Sequence, residues 1–398
     1  MIFVEIFKEV LYNKYIYGFL GCEHIVYLDN SATTRPCGKA IEYMKNALEC
    51  DWGNPSSLHL LGMNAENIVS SARSLVAKSI NAKPNEIIFT SGGTEANNTA
   101  VMSALSRKNR GNRVITTAIE HPSVLETVKR LENHGFEVIY LKPDKNGIIS
   151  LYDLEDALTE KTMLVSIMLV NNEVGSIQPI SEAVKLVRQK SPNAFFHCDA
   201  VQAYGKMPIN VNTLGVDMLT ASGHKIHGPK GIGFLYLNSK THISPFITGG
   251  GQENGMRSGT ESVPLIAGLK GAVEEFTDLK NQLENVKEIY DYAVCRLSEI
   301  PNITINSPNN SLPFILNISV NGYRSETLLH FLEMKEIYVS SGSACSKGNT
   351  SYVLKEMNVN SKSIDSALRL SFSKYTSKQD IDLLTNELKN ATAKLRKA

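Results

Sequence analysis

Short apolar runs rich in β-branched side chains alternate with helix-period runs from about residue 86 to 237, a pattern that predicts a sheet with helical crossovers. The expected strands are Glu86–Thr90, Arg113–Thr117, Glu137–Leu141, Thr162–Met168, Ala194–Cys198, Met218–Ala221 and Gly233–Tyr236. Helical periodicity from Thr94 to about Arg107 and over His121–Asn133 separates the first three, giving βαβ units whose crossovers are overwhelmingly right-handed. One long helical stretch, from about Pro264 to Ile300, follows. The pattern then changes to strand Phe314–Val320, helix Ser325–Lys335, strands Ile337–Ser340 and Leu368–Ser373, and a last helix from Ser377. The chain therefore reads as α/β. A large domain over 25–265, with a mainly parallel sheet covered by helices and an amino-terminal arm, precedes a linking helix and a smaller α+β domain over 266–398. Residues 1–24 form an extension with no assigned role.

Composition narrows the function classes. Of the 398 residues, 42% are hydrophobic and 20% charged, enough to build a sizeable core and cover it, which excludes disorder as the main state. Forty-one Lys plus Arg against 40 Asp plus Glu leave a formal charge of +1, so no global field steers the chain onto nucleic acid or an anionic membrane. No stretch approaches the roughly 20 apolar residues of a membrane helix. The aromatic start, MIFVEIFKEVLYNKYIYGFLGCEH, is interrupted by Glu5, Lys8, Glu9 and Lys14 and reads as an extra helix or an upstream start rather than a leader. Six cysteines (22, 37, 50, 198, 295 and 345) form no close pairs, so neither a zinc module nor a disulfide framework fits. They read as reduced thiols of a cytoplasmic protein, and no metal site is expected.

The residues that can carry chemistry gather where expected strands end. Ser222-Gly223-His224-Lys225 opens a Gly-rich turn in which burial and nearby positive charge can keep a lysine neutral and nucleophilic; the alternative is a solvated surface loop. SGGTEAN (91–97) begins a helix whose free N–H groups suit a phosphate, with Gly93 admitting close approach and Thr94 adding a hydroxyl while capping the helix; simple capping is the other reading. Its spacing matches neither GxxxxGK[ST] nor GxGxxG. Asp199, just past an apolar strand, needs a cationic partner: a protonated pyridine nitrogen, as pyridoxal phosphate chemistry requires, or a structural salt bridge. Gln202, one turn on, faces the same crevice and can bond a phenolic oxygen. His121 can stack on a flat cofactor and move a proton, or cap a helix. Asn172 and Glu173 also follow a strand. Open α/β sheets bind ligands at this edge. In the smaller domain, Cys345 lies in SSGSACSKGN with Lys347 nearby, a polar setting that favours the thiolate. Cys198 and Cys295 read as small core residues. Arg369, alternating with Leu368 and Leu370 in ALRLSFS, offers a guanidinium fork for a carboxylate or a surface ion pair.

Ten ordered segments then resemble cysteine desulfurases of the iron-sulfur-cluster and nitrogen-fixation type. They are YLDNSATT, GNPSS, SGGTEANN, EHPSVL, NNEVGSIQPI, HCDAVQA, SGHKIHGPKGIG, GGGQENGMRSGTE, SSGSACS and ALRLSFS, and they run from about residue 26 to the carboxy terminus. The resemblance implies a fold-type I pyridoxal 5'-phosphate enzyme, a homodimer, that takes sulfur from L-cysteine and leaves L-alanine and a persulfide for an acceptor protein in iron-sulfur assembly or tRNA thiolation. It implies Lys225 as the Schiff-base lysine and His121 as the ring-stacking proton carrier. Asp199 then partners the ring nitrogen and Gln202 the phenolic oxygen. Gly93, Thr94, Ser222 and His224 hold the phosphate, joined by Thr260 of the other subunit. Arg369, Asn172 and Asn30 hold the substrate carboxylate, and Cys345 takes the sulfur. Three places depart from the family: residues 1–24 have no counterpart, Cys198 sits beside the ring aspartate where another small residue is usual, and only SKGNT separates Cys345 from SYVL. A transaminase or lyase of this fold has no use for the loop thiol. A non-catalytic relay subunit has no use for Lys225, Asp199 and His121 together.

Overall fold

The computed structural model describes residues 25–276, 278–341 and 350–396. The chain enters through a short strand, β1 (Val26–Tyr27), and two helices, α1 (Gly38–Glu49) and α2 (Leu60–Ser79). Strand β2 (Ile87–Thr90) leads into α3 (Gly93–Met102), and β3 (Arg113–Thr117) into α4 (Pro122–Asn133). Strands β4 (Glu137–Leu141), β5 (Thr162–Ser166), β6 (Phe195–Asp199), β7 (Met218–Ser222) and β8 (Gly233–Leu237) complete a seven-stranded sheet in the order β2-β8-β7-β6-β5-β3-β4. From β7 to β4 neighbouring strands are parallel, while β8 runs antiparallel to both β7 and β2. Two reversals restore the direction, so β2 points the same way as β7. The carboxyl ends of β2, β3, β5, β6 and β7 therefore share one edge. Helices cover the sheet, and β5 and β7 are buried throughout, as strands enclosed on both faces must be.

The expected long helix is two. Helix α5 (Val263–Val273) ends before Phe276, whose ring packs edge-on against Tyr204 with centroids 5.3 Å apart. Asp278 then takes a non-helical conformation and caps α6 (Leu279–Ser298) by accepting the N–H of Asn281 at 3.0 Å. An apolar periodicity running through Phe276 hides this break, which one short polar residue imposes. Helix α6 also corrects the reading of Cys295. Its buried positions are Val286, Tyr290, Ala293 and Leu297, and Cys295, two residues past Ala293, lies far round the helix and is exposed. Cys198 is fully buried, as expected.

A three-stranded antiparallel sheet joins β9 (Ile303–Ile305), β10 (Ile315–Val320) and β12 (Ala367–Ser371), with helix α7 (Ser325–Glu333) between β10 and the short strand β11 (Ile337–Tyr338). Helix α8 (Tyr352–Glu356) follows, and α9 (Lys378–Lys394) closes the chain behind a Ser377–Asp380 capping box. The arm makes the connection that no local pattern reveals. Strand β1 pairs in parallel with β11, and Leu28 continues the ladder by bonding Tyr338 on one side and Ser371 on the other. This carries Asp29, Asn30 and Ser31 across the carboxy-terminal strands towards the edge of the large sheet. Among the described residues no helix is long and apolar enough to cross a membrane.

Candidate active site

At the shared edge of the large sheet lies a cavity of about 250 Å³, near the lower end of small-molecule sites. Gly93, Thr94, His121, Asn172, Asp199, Gln202, Ser222, His224, Lys225 and Arg369, all singled out from sequence, line it together. They arrive from five strand ends and, for Arg369, from the middle of β12, which local sequence could suggest only one at a time.

Gly92 turns β2 into α3 with φ 145° and ψ −177°, a conformation essentially confined to glycine. No side chain caps the helix, so Thr94 is not its cap, contrary to the sequence reading; it sits inside the first turn with its side chain at the cavity. A Cβ on Gly93 would stand 2.8 Å from Val201 Cγ2, so the backbone can reach the cavity floor only without one. The uncapped N–H groups, Thr94 and Ser222 form a cradle for an anion. His224 adds an imidazole that burial, with Lys225 and Lys230 nearby, pushes down to about 4, so it stays neutral at pH 7.

Asp199 is 4% exposed, and its Oδ1 accepts the N–H of Val201 while Oδ2 accepts from Asn97 at 2.7 Å. The Asn97 amide also donates to Ser123 Oγ at 2.8 Å. Ser123 in turn meets His121 twice, its N–H and its hydroxyl both lying at the imidazole Nδ1. With Nδ1 accepting from the backbone, the neutral ring carries its proton on Nε2. Burial lowers the His121 pKa against the pull of Asp199, and the Lys225 cation adds to the lowering. Lys225 Nζ donates to the carbonyls of Ser31 and Ala32, the latter at 2.8 Å.

Arg369, 1% exposed, donates to the Asn172 carbonyl at 3.0 Å and to Asp29 Oδ1 at 2.9 Å. Its place opposite Leu368 and Leu370 is as read from the alternation, but both sides of β12 are buried. Four buried polar atoms on cavity-lining residues have no partner among the described residues: Ser31 Oγ, Asn97 Oδ1, Asn172 Oδ1 and Arg369 Nε. Leaving such groups unmet costs about 1–3 kcal/mol each, so this lining is built for a polar guest. The residues present thus fit pyridoxal phosphate: a glycine cradle and uncapped helix start for phosphate, a buried carboxylate for a ring nitrogen, and a lysine between them.

Two expected residues stand apart. Asn30 spends its amide on the Tyr27 and Ser371 carbonyls and lines a smaller adjoining cavity, so it fixes the arm rather than facing the site. Thr260 is exposed and absent from the lining of its own chain's cavity. Cys345 lies outside the described residues, but the chain on either side of it is placed. Before it, Ser340 pairs with Arg369 through both backbone hydrogen bonds. After it, Ser351 donates to Glu173 Oε2 and Tyr352 OH to the Glu120 carbonyl, the latter at 2.6 Å.

Sequence reasoning missed Asn97, Ser123, Asp29 and Glu120. Asn97 follows Thr94 by one helical turn, which was a legible signal; the others depend on packing. Glu120 is fully buried, its Oε1 accepting from Thr117 and Met168, and burial with the neighbouring Asp199 charge pushes its carboxyl up to about 8. The folded chain thus holds this proton more tightly than the unfolded chain. The stabilisation is complete below about pH 4.5 and disappears as pH rises through about 8. The melting temperature of the native chain relative to Glu120→Gln should therefore fall between about pH 5 and pH 8, on the order of 1 kcal/mol of relative stability per pH unit where the slope is steepest. Equal pH profiles would contradict a protonated Glu120.

Comparisons with known proteins point the same way. A family model described as aminotransferase class-V matches residues 26–384. A cysteine desulfurase IscS of Dictyoglomus turgidum is 41% identical over 377 residues, covering 93% of this chain and 95% of the relative. A putative cysteine desulfurase IscS 1 of Bacillus subtilis is 43% identical over 355 residues, covering 87% and 93%. Among solved structures, a NifS-like protein superposes with a TM-score of 0.89 at 38% identity, covering 94% of this chain and all of that one. SspA in complex with cysteine superposes with a TM-score of 0.79 at 34% identity, covering 88% and 99%.

Proposed function

The chain belongs to the aminotransferase class-V family, and from that membership we propose that it is a cysteine desulfurase, converting L-cysteine to L-alanine and leaving a persulfide on Cys345. The observation that carries the reading is the convergence of Lys225, Asp199, His121 and Arg369 on one cavity. Pyridoxal phosphate, when bound, supplies an electron sink for the carbanion formed at the substrate Cα. Gly93, Thr94, Ser222 and His224 would hold its phosphate, Asp199 its ring nitrogen, Gln202 its phenolic oxygen, and Lys225 its aldehyde carbon.

The chain's own groups divide the remaining work. Arg369, braced by Asp29 and the Asn172 carbonyl, retains an unmet Nε for the substrate carboxylate. Lys225 takes the α-proton, and His121, its Nε2 proton fixed by the Ser123 contacts, holds or returns a proton nearby. The Cys345 thiolate attacks the substrate sulfur; the new S–S bond forms as the Cβ–S bond breaks, its electron pair passing to carbon, which gains a proton and becomes the alanine methyl. An acceptor protein for iron-sulfur assembly or tRNA thiolation then receives the sulfur. Residues 25–265 carry the cofactor end of this work and 266–398 the cysteine. Loading the purified protein with pyridoxal phosphate and measuring alanine and sulfide released from L-cysteine under reductant tests the reading, and absence of alanine overturns it.

A homodimer completes the site in this reading. Leu58 and Trp52 are 96% and 66% exposed between α1 and α2, beside exposed Leu48, Leu60 and Met63, more apolar surface than one short segment of a monomer usually shows. By the family resemblance, Thr260 of such a partner would reach the neighbouring phosphate cradle. Size-exclusion chromatography with light scattering should show a dimer, and Thr260→Val should weaken pyridoxal phosphate binding about tenfold, the effect of one lost hydrogen bond to a charged group. A fully active monomer would contradict a shared site.

A further inference from the structure

Lys206 follows Gln202 by one turn after β6 and is 5% exposed. A buried ammonium is costly unless it has work to do. Its Nζ donates to Gln202 Oε1 at 3.0 Å, and it stands 5.9 Å from the centroid of the Phe314 ring. The small cavity on its outer side is lined by Lys225, His227, Glu275 and Lys374 as well. Glu275 is the acid there, and it is already paired with Lys374. Burial, with the positive charges of Lys225 and Arg369 adding to it, lowers the Lys206 pKa to about 7.

What this lysine does is set by what Gln202 touches. The Gln202 Nε2 donates to the Ser31 carbonyl at 3.0 Å, a contact only an N–H can make. Its Oε1 faces the Lys206 ammonium, a contact only an acceptor can make. Both neighbours fix the same orientation of an amide that could otherwise turn over. Gln202 also lines the main cavity, and its Nε2 has a second N–H beyond the one given to Ser31.

We propose that Lys206 is a positioning residue for the cofactor's phenolic oxygen, acting through Gln202 by locking its amide with the N–H side towards the cavity. This rests on the reading of Gln202 as the partner of that oxygen. A donor held towards a phenolic oxygen favours its ionised form, so releasing the Gln202 amide by removing Lys206 raises the pH at which the bound cofactor's visible absorption changes.

The test uses the full chain loaded with pyridoxal phosphate and needs no turnover. Lys206→Met is expected to raise the dissociation constant for pyridoxal phosphate about tenfold and to move the midpoint of the absorbance–pH curve up by about one unit. In a Gln202→Met background the same substitution is expected to change neither quantity, because the path runs through the amide. Wild-type affinity and midpoint in Lys206→Met overturn the inference, as does an effect that persists without Gln202. Should Lys206→Met fail to fold, Lys206→Arg keeps charge and donors; a midpoint within about 0.3 unit of the native one supports the inference and a displacement of about one unit overturns it. Failure of the native chain to bind pyridoxal phosphate at all would instead sink the functional reading.

Discussion

Lys225→Ala should reduce alanine formation by more than about 10³-fold, because in the proposed reading the same amine both holds the cofactor and carries the α-proton, and functions that share one group are lost together. Lys225 is the lysine among the cavity-lining residues, and its Nζ is aimed by two carbonyls of the arm. Lys206, on the far side of Gln202, cannot replace it without breaking the amide contact. Phosphate contacts at the start of α3 do not involve the lysine, so the variant should still retain some pyridoxal phosphate. The measurement is the visible spectrum of the purified variant together with alanine released from cysteine. An unchanged visible band, or turnover near the native rate, would show that another group holds the cofactor.

Cys345→Ser is expected to separate binding from sulfur transfer. The cofactor end of the site is intact in this variant, so adding cysteine should still perturb the visible spectrum. Alanine and sulfide formation should fall by at least about 10³-fold, since a hydroxyl near pH 7 is a far weaker nucleophile towards sulfur than a thiolate. Cys198→Ser is the control. Its thiol is fully buried in β6, and burial, with the Asp199 charge beside it, pushes it well above the usual thiol value, so it is not a thiolate at working pH. Sulfur transfer in Cys198→Ser should be close to native. Mass spectrometry of trypsin-digested protein after one turnover should find the added sulfur on the peptide containing Cys345. Recovery on the Cys198 peptide, or native desulfuration by Cys345→Ser, would refute the assignment.

The parts of the site that follow from local pattern were legible in the sequence. Strands Arg113–Thr117 and Glu137–Leu141 have the bounds their apolar runs suggest, because each is a short β-branched run closed off by polar residues. His121 and Lys225 could be placed at strand ends for the same reason. What depended on non-local pairing could not be read. Nothing near Val26 announces that β1 will lie beside Ile337, or that Asn30 will give its amide to Ser371 instead of a substrate. The exposure of Cys295 was hidden because its neighbours in sequence are apolar while its neighbours in space are set by the pitch of α6. Lys206 escaped because a polar residue in a turn has no signature until its partner is known.

The fastening of the chain on both sides of Cys345 sets a radius for delivery. Cys345 is the fifth residue after Ser340, which is hydrogen-bonded to the Arg369 backbone, and the sixth before Ser351, which is held by Glu173. A fully stretched peptide spans about 3.3–3.6 Å per residue, so Cys345 can travel no farther than roughly 18 Å from the first anchor and roughly 22 Å from the second. Ser340 is bonded to Arg369, which lines the cavity, and Ser351 to Glu173, the neighbour of cavity-lining Asn172. A thiol on so short a leash meets the bound substrate at an effective concentration in the millimolar range. If Cys345 hands on sulfur as proposed, the same leash requires an acceptor to bring its own thiol within that reach, which favours receivers that present sulfur-accepting groups on a projecting segment over those that bury them in a flat face.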